Sequence, residues 1–514
     1  MTKSVKAIII AAGALLALGA VLAVLLLTKP KPEPTDSVSG TETSGAGGVN
    51  AYIVDKRAAE VTSITVNNDS GAFTFIRQKR VVSETDESGN VTSKDEYYWM
   101  SDDLKGVPQS DTTVKSFITS LASLPEKSTV EENASDLEKY GLDTPKATAE
   151  LKFEDGTDIT MRFGIQNPAD SSSVYYRDEG NKVRLINYYA AAPAFSDVKQ
   201  FANLTMTESY DTSGKNELTS LKITRPDLEE PVCIRFMSEL VELAEKDDSI
   251  VSTFNTHRFT SPVSAEVDVT KGKNVCYDLY GLTMSACEYL EQTEENLKKC
   301  GLDEPRATVE FKYGGKEYEL KIGGAIREEV SGTTSASIST IKGYYAVMKG
   351  VAGIYSLPAE NASWASFKVS DLISRRPLSP YIYSAENVEV VVPGGTYKFD
   401  IDGENKTFSC DGKQLSSDEF RSFYQTLIGS VGEEMYTGEV SGNPLASVTF
   451  NYKSEYFDVY GGESDMLSYY ESDDRKCIVV LNGTPIFKVR RVYVDRLSEN
   501  VEAVLNGGKV QIDY

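Results

Sequence analysis

The chain of 514 residues has one histidine, His257, so any Ser/His/Asp or Cys/His chemistry would have to pass through it. It lies two residues before Phe259, and no G-x-S-x-G elbow accompanies it, so the expected role is structural. Carboxylates recur at Asp143 and Asp303, where a pair could do general acid–base work. Each follows Gly-Leu and precedes a proline, a setting that turn formation explains. Asp400-Ile401-Asp402-Gly403-Glu404-Asn405 opens like a calcium loop but lacks the distal glutamate, and a hairpin turn is expected instead. The six cysteines (Cys233, Cys276, Cys287, Cys300, Cys410 and Cys477) form no C-x-x-C pair, so zinc and thioredoxin-type motifs are missing. Their even number permits disulfides without fixing a pairing. There is no phosphate-cradling G-x-x-x-x-G-K-S/T. The expectation is a non-enzymatic protein with no catalytic residue, metal or cofactor.

Tyrosine offers a different chemistry, stacking on sugars or anchoring interfaces. Tyr175-Tyr176, Tyr344-Tyr345 and Tyr469-Tyr470 sit in strand-like runs, where adjacent residues face opposite sides of a sheet. One of each pair should be core and the other exposed; Tyr176, Tyr345 and Tyr470 are the candidate binding residues. A net charge of -24 argues against nucleic acid and against anionic lipid surfaces, since both require concentrated lysine and arginine.

The elements that position these residues follow from a repeated string. Gly141-Leu142-Asp143-Thr144-Pro145 returns as Gly301-Leu302-Asp303-Glu304-Pro305, and a reduced form survives as Gly442-Asn443-Pro444. Each is followed by an alternating apolar run ending at Phe153, Tyr313 or Tyr452. The string reads as a joint. Gly141 suits the left-handed position just past a short helix ending at Tyr140, Leu142 folds back on Leu137, Asp143 bonds the local backbone, and Pro145 forbids further helix. Leu297 and Leu302 repeat the contact around Gly301, with Cys300 in the place of Tyr140 as a packed side chain.

Around the joint each copy reads as strands, a helix and a strand-rich second half. In the first copy Val114, Phe117, Ile118 and Leu121 follow helical spacing behind a cap at Ser110 or Asp111, and Pro125 ends the helix. Ser416 with Glu419 forms a capping box before Phe420, Phe423, Tyr424 and Leu427 in the third, where Tyr469-Tyr470 supplies the tyrosine strand. In the second copy, whose Phe259 answers Trp99, the helix is weakly signalled. Connectors carrying Phe195, Phe201, Trp364 and Phe367 are expected between modules, and the tail from Val492 should close the last one. The predicted class is α+β, tandem modules of antiparallel sheet with a packed helix.

Residues 7–27 form an uninterrupted apolar run flanked by lysines, long enough for the roughly 20 residues that span a bilayer. It runs into Thr28-Lys29-Pro30 with neither a small-x-small cleavage site nor a following cysteine, which reads as a single-pass signal anchor. The expected organisation is a cytoplasmic tail (1–6), anchor (7–27), Pro/Ser/Gly-rich tether (28–50), and modules at 51–217, 218–385 and 386–514. The body is expected to be extracytoplasmic at the cell membrane.

The Gly-Leu-Asp-x-Pro box, its following strand and the tyrosine-bearing strands resemble the bacterial domain-of-unknown-function family 4340. The resemblance covers copies one and two clearly and copy three more loosely, since copy three lacks the Leu-Asp of the box. It implies an envelope protein associated with ABC-type transporters or gliding-motility-like auxiliary proteins, and it carries over no catalytic residue. The expected function is an accessory or scaffold of a membrane complex. The alternative is a wall-polymer or solute-binding module that uses the exposed tyrosines.

Overall fold

A computed structural model describes residues 51–85, 91–210, 218–238, 256–268, 270–330 and 338–512. The expected tail, anchor and tether lie outside them. Among the described residues no helix is long and apolar enough to cross a membrane. Ala51–Tyr514 forms one compact unit.

Alternating apolar residues build the first module. Strand β1 (Tyr52–Asp55) pairs with β5 (Ser123–Pro125) in a small ribbon. The main sheet contains β2 (Val61–Asn68), β3 (Gly71–Thr85), β4 (Val91–Met100), β6 (Ser128–Glu131), β7 (Ala147–Phe153), β8 (Asp158–Asn167), β9 (Asp170–Arg177) and β10 (Val183–Asn187). Its order is β4-β3-β2-β7-β8-β9-β10-β6, two antiparallel meanders joined at β2 and β7. In β7 every second residue from Ala147 to Phe153 is buried, the period-two pattern of a strand with one core face.

The second sheet contains β11 (Leu218–Thr224), β12 (Val232–Phe236), β13 (His257–Ser261), β14 (Ala265–Glu266), β15 (Ala286–Tyr289), β16 (Ala307–Tyr313), β17 (Lys316–Val330), β18 (Ile338–Met348) and β19 (Ile354–Pro358). The third contains β20 (Ala385–Val392), β21 (Gly395–Asp402), β22 (Thr407–Cys410), β23 (Lys413–Gln414), β24 (Glu434–Met435), β25 (Ala446–Tyr452), β26 (Ser464–Glu471), β27 (Lys476–Leu481) and β28 (Thr484–Arg490). Their orders are β14-β13-β12-β11-β16-β17-β18-β19-β15 and β23-β22-β21-β20-β25-β26-β27-β28-β24. All three sheets therefore share one topology, and sheets two and three add one short strand at the first edge. The architecture is α+β and antiparallel throughout.

Helices cover the core face. Helix Asp111–Ala122 starts where Ser110 accepts from the Thr113 N–H, and it buries Val114, Phe117, Ile118 and Leu121. Helix Ser417–Leu427 buries Phe420, Phe423, Tyr424 and Leu427 behind the Ser416 cap. Only half of the expected capping box forms, because the Glu419 carboxylate accepts instead from Val510 N–H at 3.0 Å. That bond ties down the tail, whose helix Arg491–Leu505 buries Tyr493, Val494, Leu497, Val501 and Val504. The second module has a short helix at Lys273–Tyr277.

The connectors depart from expectation. Phe201 packs at 4.9 Å from Phe75 and 5.5 Å from Phe117, inside the first module. Trp364 is fully buried and donates its indole N–H to the Val275 carbonyl in the second. These aromatics fill the gap left between a twisted sheet and its helix, so each completes its own module. Met206 N–H donates to Leu282 O and Met284 N–H to Leu204 O, and Gly432 N–H donates to Arg375 O, so successive modules are stitched by backbone bonds. One apolar core runs through all three sheets.

Candidate functional site

The repeated box adopts the expected joint geometry twice. Gly141 takes φ 64° after the 3₁₀ turn Glu138–Tyr140, its N–H donating to Glu138 O at 2.8 Å and that of Leu142 to Leu137 O at 3.0 Å. Gly301 also takes φ 64° after helix Glu294–Lys299, with Leu302 N–H donating to Leu297 O at 2.8 Å. These are Schellman caps, in which a left-handed glycine lets the next apolar residue fold over the helix end. Pro145 and Pro305 then launch β7 and β16. Asp143 and Asp303 differ from expectation. Both are exposed, and neither carboxylate takes a hydrogen bond among the described residues.

The joint belongs to a strap that covers the outer face of the second meander in sheets one and two. Leu142, Tyr140, Ala134 and Val183 form a small core separate from the main one, with Tyr175 and Leu137 against it. Leu302, Cys300, Val347 and Ile354 form its counterpart, with Tyr345 and Leu297 alongside. The strap fits because β8 and β17 bulge beneath it, at Gly164-Ile165 and Gly323-Gly324. A Cβ on Gly164 would lie 2.0 Å from Tyr140 O, and one on Gly323 would lie 2.4 Å from Cys300 O. Gly324 N–H donates to Cys300 O at 2.7 Å.

This packing corrects the tyrosine assignment. Tyr176 is fully buried in the main core against Phe163, so it offers no binding surface. Tyr175 is the strap-facing member of that pair, with its ring 4.8 Å from Tyr140. Tyr345 faces its own strap and is half-buried. Tyr175 pairs with Leu185 and Tyr345 with Ser356, so the two tyrosine pairs are offset by one residue, and a one-residue slip exchanges faces. Tyr470 is also half-buried, but it lies in β26, beside β25, in the position of β8 and not of β9. The third module has no such strap glycine; Gly442 sits at φ 87° in open space near Pro444.

His257 is buried against Phe236 and Tyr277. Its Nδ1 meets Thr256 Oγ1 at 2.9 Å, and Nε2 has no partner among the described residues. Burial pushes its pKa down to about 4, which keeps the ring neutral. All six cysteines are free thiols, and burial raises Cys233, Cys276, Cys287, Cys300, Cys410 and Cys477 away from the reactive thiolate. Asp402 accepts from Asn405 N–H and Nδ2 in the β21–β22 turn, a hairpin contact.

Sequence reading missed the most buried charged side chain among the described residues. Arg258 in β13 is 1% exposed and reaches Asp465 in β26, with Nη2 at 2.7 Å from both carboxylate oxygens. Tyr452 and Asn482 donate to the same carboxylate, each at 2.6 Å. Burial works against the Arg258 charge, and Asp465 with its neighbours outweighs that, raising its pKa. Glu266 nearby accepts from Ser379 N–H at 2.7 Å and from its hydroxyl at 2.6 Å. The cluster joins the second and third sheets. No local pattern announces it, because Arg258 is buried by a partner some 200 positions later in the chain.

A cleft of about 690 Å³ opens on the second sheet. Cations (Lys222, Arg235, Lys312, Lys349) and carboxylates (Glu310, Glu317, Glu319) are interspersed along it, with Lys222 paired to Glu310 at 2.6 Å and Lys349 to Glu319 at 3.0 Å, so neither sign dominates.

Residues 99–227 match the family described as Domain of unknown function (DUF4340). The match runs from Trp99 through the first box and its following strands to the start of the second module. No curated protein and no solved structure matches the chain.

Proposed function

We propose that this protein is a non-enzymatic, extracytoplasmic accessory or scaffold subunit, held at the cell membrane by residues 7–27 and associated with an integral-membrane complex of the ABC-transporter type. The observation that carries the reading is the construction of the body. Three sheets of one topology are stitched by backbone bonds, share one core, and are pinned by a buried ion pair between the second and third. Such a build favours holding surfaces at fixed separation, as repeat proteins do. The chemistry-bearing residues are committed elsewhere: the histidine is buried and neutral, and the thiols are buried or half-buried.

The test is crosslinking in intact cells followed by purification in mild detergent. The reading expects crosslinks from the body to an integral-membrane protein, together with protection of the body from a protease confined to the cytoplasmic side. A solitary protein, or a body digested from the cytoplasmic side, would refute it.

A further inference from the structure

The three sheets differ at one edge. In sheet two, the third strand β13 is covered by β14, pairing Arg258 with Glu266 and Phe259 with Ala265. In sheet three, β22 is covered by β23, pairing Ser409 with Gln414 and Cys410 with Lys413. In sheet one the chain leaves β4 through the 3₁₀ turn Asp102–Leu104, and β4 is the terminal strand. Among the described residues no strand pairs with its outer edge, and it is ten residues long. Uncovered edges of this length are templates for another strand, and proteins normally shorten or block them.

The edge has a readable polarity. Gln109 donates from Nε2 to the Trp99 carbonyl, so that carbonyl points away from β3. By strand alternation the N–H and C=O of Tyr97 and Asp95 point the same way. Beside this backbone stand Tyr97, Ile76 and Met100, 47%, 50% and 51% exposed. The basic side chains of β3 are already matched, Arg77 to Glu154, and Lys79 to Asp95 and Arg80 to Glu96 at 2.7 Å each. At the base of the edge lies a pocket of about 320 Å³ with apolar walls from Ile76 and Met100 and with Asp102 and Asp103 at its end. Lys105, the next cation in the chain, lines a different cleft beside Leu290 to Thr293.

We propose that β4 is a docking edge for an extended segment of a partner protein. The segment adds as a further strand alongside Tyr97 and Asp95 and lodges a lysine or arginine in the Ile76–Met100–Asp102 pocket. Main-chain bonds at the edge would supply affinity and the pocket would supply selection. A long basic side chain suits it, since its stem lies on apolar surface while its head meets a carboxylate. The inference rests on the accessory-protein reading for its setting, and it names the surface and the chemistry of the contact.

The test uses the full-length protein in mild detergent. The probes are two ten-residue strand-forming peptides that differ only in carrying lysine or glutamate at alternate positions. Binding is read by fluorescence anisotropy, and amide exchange by mass spectrometry. The expected result is slowed exchange across Tyr97 and Asp95, with the lysine peptide binding about tenfold or more tighter than the glutamate peptide. Met100→Lys and Tyr97→Pro should each lower binding about tenfold while leaving the melting temperature within a few degrees, because Met100 is exposed and Tyr97 directs its N–H outward. Equal binding of the two peptides would overturn the proposal. So would binding untouched by both variants, or protection that appears without peptide as protein concentration rises, the mark of a second copy on the edge. Failure here, with crosslinks to a membrane protein through another face, would remove the edge and leave the accessory reading standing.

Discussion

The carbonyl of Tyr140 lies directly over Gly164, so close that a Cβ on Gly164 would come within 2.0 Å of it. That approach lets the strap seat on the sheet, and sheet two repeats it between Cys300 and Gly323. Gly164→Ala or Gly323→Ala must displace the strap, at a cost of about 1–3 kcal/mol for an overpacked site. Gly180→Ala, with its nearest neighbour at 3.4 Å, should change stability by less than about 0.5 kcal/mol. Urea unfolding of the three variants distinguishes them.

Leu142 and Leu302 are the fold-back residues of the two caps, and each sits in a small core of its own. Truncation to alanine should cost about 2–4 kcal/mol as a cavity. The loss should also be local, speeding amide exchange in residues 128–146 or 286–306 before the helix Asp111–Ala122 is affected. Exchange that rises uniformly through both cores would show that the strap is no separate unit.

The Arg258–Asp465 pair fixes the second sheet to the third. Arg258→Met or Asp465→Leu alone leaves a buried charge without its partner and should destabilise by about 3–5 kcal/mol. The double replacement should recover part of that loss, since no unpaired charge remains but the Tyr452 hydroxyl and the Asn482 amide lose their acceptor. A double-mutant cycle in guanidinium measures the coupling, and additive losses would contradict the assignment.

His257 sets a pH window. Its folded pKa, about 4, lies below the ordinary value of 6.5, so only the unfolded chain gains a proton as pH falls between them. Its contribution is fully present above about pH 6.5, declines toward pH 4 and is gone below it, amounting to about 3 kcal/mol. His257→Phe should flatten the stability profile in that window and leave it unchanged above pH 7. An unaltered slope in urea melts across this range would contradict the buried neutral ring.

Much of this architecture was legible because it is written in local patterns. The string Gly-Leu-Asp-x-Pro specifies a cap through a left-handed glycine and a fold-back leucine, and both are local demands of the backbone. Helices Asp111–Ala122 and Ser417–Leu427 follow from apolar spacing behind a serine cap. What failed depended on register or on distant partners. Tyr176 and Tyr345 look equivalent as letters, but a one-residue offset turns the first to the main core and the second to the strap. Glu419 answers to Val510 instead of to its own cap, and Arg258 to Asp465, through tertiary contacts that no window of sequence contains. Phe201 and Trp364 read as linker aromatics because the gap they fill exists only once a sheet has twisted over its helix.

The central claim, an accessory subunit of a membrane complex, is tested most directly by the mass of the native particle. Full-length protein, extracted from its own membranes in mild detergent without crosslinker, should run in native mass measurement well above its 56.4 kDa chain. An integral-membrane protein should be present in fixed ratio. A particle of one chain alone, or of copies of this chain alone, at every detergent concentration that keeps other membrane complexes intact, would contradict the account.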